Sequence, residues 1–337
     1  MAWYEIPNTN AVSIYSALLF GVLTVVFVFR LWLKATCGKF ESKVRLDGKT
    51  VLITGANSGI GKETARDLAK RGARVIMACR TMETANKARD EIINESGNNN
   101  VIVRKLDLSS QQSVREFAAE ILATEKRLDI LIHNAAYAGI FKQRKSVDGI
   151  ELTMATNHYG PFLLTHLLIN LMKKSVPARI VVVSSKLHHV STMKVTRPED
   201  LNPIQGPQSW FPGQIYHNSK FANILFTFEL AKRLRKHRIT ANCLHPGMVD
   251  SNIYRNYPLP LLIPLAIFKF FIKSPMQGAR NVLYVTLSER LENVTGKYFR
   301  NCHESRTNAR VFNKHWQSIL WEESKKFVKL TRHDPQI

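Results

Sequence analysis

Metal chemistry and disulfide scaffolding find little support in this chain. Its four cysteines, Cys37, Cys79, Cys243 and Cys302, are scattered over 337 residues. No pair has C-x-x-C spacing and none joins a histidine in a ligand pattern, so no metal site is expected. Cys79 and Cys243 lie in apolar runs, where free buried thiols in a reducing compartment are the default. His188-His189 has no ligand cluster beside it and reads as loop lining. Acid is scarce as well: 26 Asp and Glu face 48 Lys and Arg, giving a net charge of +22. Such a charge suits nucleic acid or an anionic membrane. The basic residues form no long block and no zinc-finger or homeodomain pattern, so no nucleic-acid partner is expected. Internal repeats and low-complexity segments are lacking too. The length suits one large domain or two small ones, with ample material for a core.

One long apolar run is present. Residues 11–29, AVSIYSALLFGVLTVVFVF, carry no charge. At a rise of about 1.5 Å per residue they nearly span a bilayer core of about 30 Å, and Trp32 and Leu33 extend the run. A cleaved signal peptide would place basic residues ahead of it, but only Glu5 stands there. The basic residues follow instead: Arg30, Lys34, Lys39, Lys43 and Arg45. The positive-inside rule then predicts a short lumenal N-terminus (1–10), a transmembrane anchor (11–33) and a basic linker (34–48), with the rest in the cytosol. The expected location is the endoplasmic reticulum membrane, crossed once, with a lipid-droplet or mitochondrial membrane as alternatives.

From residue 49 short apolar runs alternate with amphipathic stretches. KTVLITGA, ARVIMACR, VIVRKLDL, LDILIHNAA, ARIVVVSS, ITANCLHPG and GKYFRNC read as strands. Helices are expected between them, including a long one over 151–174 and another over 215–237. A further helix is expected over 307–327, in the C-terminal segment 306–337, with Trp316 and Trp321 facing either domain or membrane. This alternation predicts an α/β fold, a Rossmann-type doubly wound parallel sheet in a single domain (49–305) after the transmembrane helix.

The first strand ends in TGANSGIG, with Gly55, Gly59 and Gly61. Glycines between a strand and a helix let the backbone approach a pyrophosphate, which the next helix meets with its N–H groups. The second strand ends in Arg80, where an NAD enzyme would carry an acid for the ribose hydroxyl. With Lys62 after the glycines, the guanidinium suits a 2′-phosphate, so NADP(H) is expected. Asp107-Leu108, after the third strand, would lie beside the adenine. In YHNSK, Tyr216 and Lys220 stand one helical turn apart on one face.

These motifs, with NAA at 134–136, TNHYGPFLLTHLL at 156–168, RIVVVSS at 179–185 and HPG at 245–247, occur in the order of the short-chain dehydrogenase/reductases. The chain resembles that superfamily over about residues 45–305, and within it the membrane-anchored retinol dehydrogenase branch. The resemblance implies a catalytic tetrad of Asn157, Ser185, Tyr216 and Lys220. It adds Asn57, Ser58, Ile60, Asn134, Tyr216, Lys220, Pro246, Gly247 and Val249 to the cofactor contacts, with Lys220 on the nicotinamide ribose hydroxyls, and places the substrate oxygen at Ser185 and Tyr216. It implies reduction of a lipophilic carbonyl, with retinal and retinol the expected pair. A steroid or other lipid ketone or aldehyde is the alternative, and a silent membrane scaffold a third reading. Homodimerisation stays open. His133, Ala136 and Val182 depart from the usual pattern, and Ala136 would strain its loop if its φ were positive. The apolar stretch 257–273, within a lid at about 250–275, is expected to touch the membrane.

Overall fold

β1 (Thr50–Thr54) is buried along its whole length, as a strand covered on both faces by helices must be. Its side chains alternate between two layers: Leu52 packs into one core, Val51 and Ile53 into the other. The same βα unit repeats along the chain. The structure, a computed structural model, describes residues 9–35, 37–139, 144–204, 213–250 and 272–337.

After α1 (Thr9–Ala35) come β1, α2 (Gly59–Lys70), β2 (Arg74–Cys79), α3 (Met82–Ser96), β3 (Val101–Lys105), α4 (Gln111–Thr124) and β4 (Ile130–His133). Then follow α5 (Gly160–Lys173), β5 (Ala178–Val183), α6 (Gln214–Arg233), β6 (Ile239–His245), α7 (Pro275–Leu287), β7 (Tyr298–Arg300), β8 (His303–Glu304) and α8 (Lys314–Phe327). Among the described residues the sheet order is β3-β2-β1-β4-β5-β6-β7-β8. All pairings are parallel except β7 with β8. The Rossmann-like sheet expected from the alternation is therefore present. Strand order reverses between β1 and β4, and open sheets of this kind bind ligands at the carboxyl ends of the strands there.

α2, α3 and α7 contribute to the core on one face of the sheet, and α4, α5, α6 and α8 to the other. The helix expected over 151–174 is interrupted. A short turn at Leu152–Met154 passes into a π-helical turn, Ala155–Tyr159, before α5 begins. The segment 307–327 likewise divides into a 3₁₀ turn at Ala309–Phe312 and α8. Ser110 caps α4 by accepting from the Ser113 N–H, which satisfies one of the orphan donors of that helix end. Trp321 is buried against Phe162 and Phe226, with the Arg233 guanidinium 4.4 Å from its ring centroid. Trp316 also meets the domain, edge-on to Phe221. Both tryptophans thus pack on the domain.

The anchor expected over 11–33 coincides with α1, whose described apolar side chains, among them Leu18, Phe20 and Val25, are exposed. Among the described residues no helix is long and apolar enough to cross a membrane. Most of the lid expected at about 250–275 lies outside the described residues.

Candidate active site

The loop after β1 is held from two sides. Asn134, just past β4, donates through Nδ2 to the carbonyls of Thr54 (3.0 Å) and Gly55 (3.1 Å). The Thr54 hydroxyl receives the N–H groups of Asn134 and Ala135. Gly55 and Gly59 both adopt positive φ. A Cβ on Gly61 would overlap the Gly55 carbonyl and the Asn134 amide, so glycine is required where helix, strand and loop converge. Ser58 precedes α2 in extended conformation and makes no side-chain cap bond. The first turn of α2 therefore keeps N–H donors that an anionic group can receive. Asn57 bonds Thr84 on α3, and Ile60 packs close to Gly278 on α7. A loop of this form fits a dinucleotide pyrophosphate.

Arg80 is exposed at the end of β2. Lys62, expected to assist it, is instead paired with Glu91 on α3. Asp107 accepts from the Ser109 N–H and hydroxyl, which shapes the turn after β3. Leu108 is buried, and its carbonyl lies so close to Gly160 that a Cβ there would overlap it. At the far side, Gly247 has φ of 102° and Val249 bridges to Lys273. Val249 is buried and approaches Gly278, as Ile60 does, so the turn after Pro246 and the glycine loop meet over α7.

The expected tetrad spans β5, α6 and the π-helical turn. Lys220 is 1% exposed, and its Nζ donates to the Val183 carbonyl at 2.9 Å. Nζ also lies 5.5 Å from the centroid of the Tyr216 ring. Burial pushes the Lys220 ammonium down to about 7, since a charge in a poorly solvated site favours its neutral form. Tyr216 is half-buried. The two adjacent serines have separate surroundings. Ser184 donates its hydroxyl to the Lys220 carbonyl at 2.8 Å and its N–H to Leu244, tying β5 to α6 and β6. Ser185 begins the 3₁₀ turn Lys186–Val190, and its Oγ accepts from the Leu187 N–H, leaving its O–H free to donate.

Asn157 sits in the π-helical turn, a geometry often found at functional sites. Its Oδ1 accepts from the Tyr137 N–H at 2.7 Å, and its Nδ2 donates to the Tyr137 carbonyl and to Ser219 Oγ, each at 2.9 Å. Ser219 in turn donates to the Tyr216 carbonyl. Asn157 therefore clamps the loop after β4 to the helix that bears Tyr216. Tyr137 and Ser219 were not singled out in the sequence. Ser219 had a readable signal, since a serine three residues after Tyr216 can bond back to that residue's carbonyl.

The three departures from the usual pattern are accommodated. Ala136 is not among the described residues with positive φ, so the conditional strain does not arise. His133 is buried with Nε2 2.8 Å from Thr165 Oγ1, and burial pushes it down to about 3, so it stays neutral. Val182 packs in the sheet between His133 and Cys243. His188 lies in the 3₁₀ turn against the Tyr298 ring.

Comparison with known proteins accords with this geometry. The family description short chain dehydrogenase fits residues 49–196 and 202–259. The chain belongs to the short-chain dehydrogenase family. It is 42% identical to human retinol dehydrogenase 11 over 314 residues, covering 91% of this chain and 96% of that protein, which places it in the retinol dehydrogenase branch. Among solved structures it resembles an uncharacterized protein from Mycobacterium paratuberculosis, with 32% identity, TM-score 0.67, and coverage of 85% of this chain and 95% of that one. It also resembles the RhlG/NADP active-site complex of Pseudomonas aeruginosa, with 26% identity, TM-score 0.60, and coverage of 77% and 97%. Membership makes this chain an oxidoreductase that uses a nicotinamide cofactor.

Proposed function

We propose that this protein is an NADP(H)-dependent reductase of a lipophilic carbonyl, with retinal as substrate and retinol as product, held at a membrane by α1. The observation that carries the catalytic reading is the buried Lys220 one turn from Tyr216, with Nζ on the carbonyl that ends β5. The retinoid reading rests on the name of the human relative.

In this reading Tyr216 donates its phenolic proton to the carbonyl oxygen. A free phenol titrates near 10, and a positive charge close by favours the phenolate left behind. Ser185 donates a hydrogen bond to the same oxygen and stabilises the charge that develops there. Lys220 orients the ribose hydroxyls and lowers the cost of the phenolate. Asn157 fixes the loop and helix so that this geometry persists. The bound nicotinamide supplies the hydride.

Residues Gly55 to Gly61 would hold the pyrophosphate. Asp107 and Leu108 would flank the adenine, with Asn134, Pro246, Gly247 and Val249 around the nicotinamide end. The choice of NADP(H) is supported by Arg80, exposed where a carboxylate would favour NAD. The exposed apolar side chains described along α1, among them Leu18, Phe20 and Val25, support its association with a membrane. Basic residues following the helix support a cytosolic catalytic domain at the endoplasmic reticulum, where reduced NADPH favours reduction.

The test is turnover by the purified full chain with NADPH and NADH against retinal, a steroid ketone and a medium-chain aldehyde. Retinal with NADPH is expected to give the highest kcat/KM. Preference for the steroid would reassign the substrate, and no turnover on any would support a silent scaffold.

A further inference from the structure

The carboxyl ends of the parallel strands share one edge of the sheet, and the C-terminal end of α1 returns to that same edge. Ser185 follows β5. His245 ends β6, and in the register it stands beside Arg300, the last residue of β7. Asn301 comes next, and Gly38, just past α1, approaches it so closely that a Cβ would overlap the Asn301 carbonyl group. The path from the catalytic serine to the base of α1 thus crosses two strand spacings, or about 10 Å.

This edge is basic. Lys39, Lys186 and Arg300 are exposed, with the neutral imidazole of His189 exposed beside them. Lys273 reaches Asn301 Oδ1 at 2.7 Å. Lys186 and Arg300 both lie close enough to His189 to lower its imidazolium further, after burial. The acidic groups nearest in sequence are Glu41, Asp250 and Glu304, and Glu304 is paired with Lys297 at 2.7 Å. Apolar tips stand among these bases: Leu187 is 43% exposed, Val190 56% and Met248 57%. Bases interleaved with exposed apolar side chains suit an anionic bilayer surface, where ammonium and guanidinium groups meet headgroups and the apolar tips enter the acyl boundary.

We infer that the strand-end rim formed by Lys186, His189, Lys273 and Arg300, with Leu187, Val190 and Met248, is a docking surface for anionic phospholipid headgroups. It turns the mouth of the active site toward the membrane. The inference rests on the membrane reading proposed above. The meeting of the rim with the base of α1 favours lipid over nucleic acid or an acidic protein. A lipophilic substrate would then pass between bilayer and site without crossing water.

The four native cysteines are buried, so a Val190→Cys variant of the full chain takes a nitroxide label selectively at the rim. The labelled protein is placed in phosphatidylcholine vesicles, and in vesicles containing about one third phosphatidylserine. Accessibility of the label to a water-soluble nickel chelate is expected to fall several-fold with phosphatidylserine. Salt at about 1 M, where the Debye length is about 3 Å, should restore it. Inorganic phosphate with neutral vesicles should leave it unchanged. Lys186→Gln and Arg300→Gln, singly and together, should progressively remove the lipid response while far-UV circular dichroism stays the same. Equal accessibility in both vesicles, or an undiminished response in the folded double variant, would overturn the docking surface. A label that responds equally to RNA or an acidic peptide would also overturn lipid as the partner. Flotation separates the two readings. A chain that floats with both vesicle types but keeps Val190 in water refutes the rim alone, and a chain that floats with neither refutes both.

Discussion

Lys220 donates to the Val183 carbonyl at 2.9 Å from a position that is 1% exposed. The bond links α6 to the end of β5, and it also strands an ammonium in a site that opposes charge. Burial lowers this group from 10.5 to about 7. Between those values the unfolded chain binds a proton that the folded chain lacks. Stability of the cofactor-free protein should therefore rise with pH through that window and be weakest below about 7. Lys220→Met should flatten this slope and raise stability below about pH 7 by about 1–3 kcal/mol, while turnover collapses. Thermal melts in detergent at about pH 6 and about pH 9 measure it. An unchanged slope in the variant would show that Lys220 does not carry it.

Tyr216→Phe removes one oxygen from a half-buried ring. The expected loss in kcat is roughly 10²- to 10⁴-fold, the usual contribution of a general acid. Cofactor dissociation constants should change little, because only a group used in the proton transfer has gone. Near-normal turnover in this variant would remove Tyr216 from the mechanism.

Arg80 is exposed, so water screens its charge and its effect on a phosphate is moderate. Arg80→Asp should weaken NADPH binding roughly 10- to 100-fold, and strengthen NADH binding through the new carboxylate at the ribose hydroxyls. Fluorescence titration of both reduced cofactors gives the ratio. The same NADPH preference before and after the change would refute the role given to Arg80.

Asn157 and Ser219 are joined by one buried hydrogen bond and hold Tyr137 and Tyr216 from either side. Asn157→Ala should cost about 1–3 kcal/mol, because buried donors and acceptors lose their partners. Ser219→Ala should cost less, about 0.5–1.5 kcal/mol. The double variant should lose less than the sum of the two. Strict additivity would mean that the two side chains act separately.

Two sequons, Asn94-Glu95-Ser96 and Asn293-Val294-Thr295, have exposed asparagines. In a lumenal domain they would be open to glycosylation. With the catalytic domain in the cytosol, both should stay bare in animal cells, and protease added outside intact microsomes should digest the domain. Gel mobility with and without a glycosidase, beside that digestion, gives the answer. A glycan at either site, or a protected domain, would reverse the orientation and remove the NADPH-based argument for reduction.

The fold was largely legible because its signals are local. A strand buried on both faces needs a continuous apolar run, as in Thr50–Thr54, and a dinucleotide loop needs glycines at close contacts, as at Gly61. Helix interruptions were less legible, because the π-helical turn at Ala155–Tyr159 keeps helix-forming composition and apolar spacing.

By itself the sequence determined the α/β alternation, the glycine loop, the pairing of Tyr216 with Lys220 on one helical face, and the apolar and basic halves of the N-terminus. All of these rest on spacing along the chain. Tertiary structure decided what each side chain meets. It gave Lys62 to Glu91 and the Asn157 amide to Tyr137 and Ser219. It gave Ser184 to the Lys220 carbonyl, and it brought the base of α1 beside the end of β7. Hydrogen bonds and ion pairs are decided at a few ångströms between segments far apart in the chain, and residue spacing carries no record of those distances.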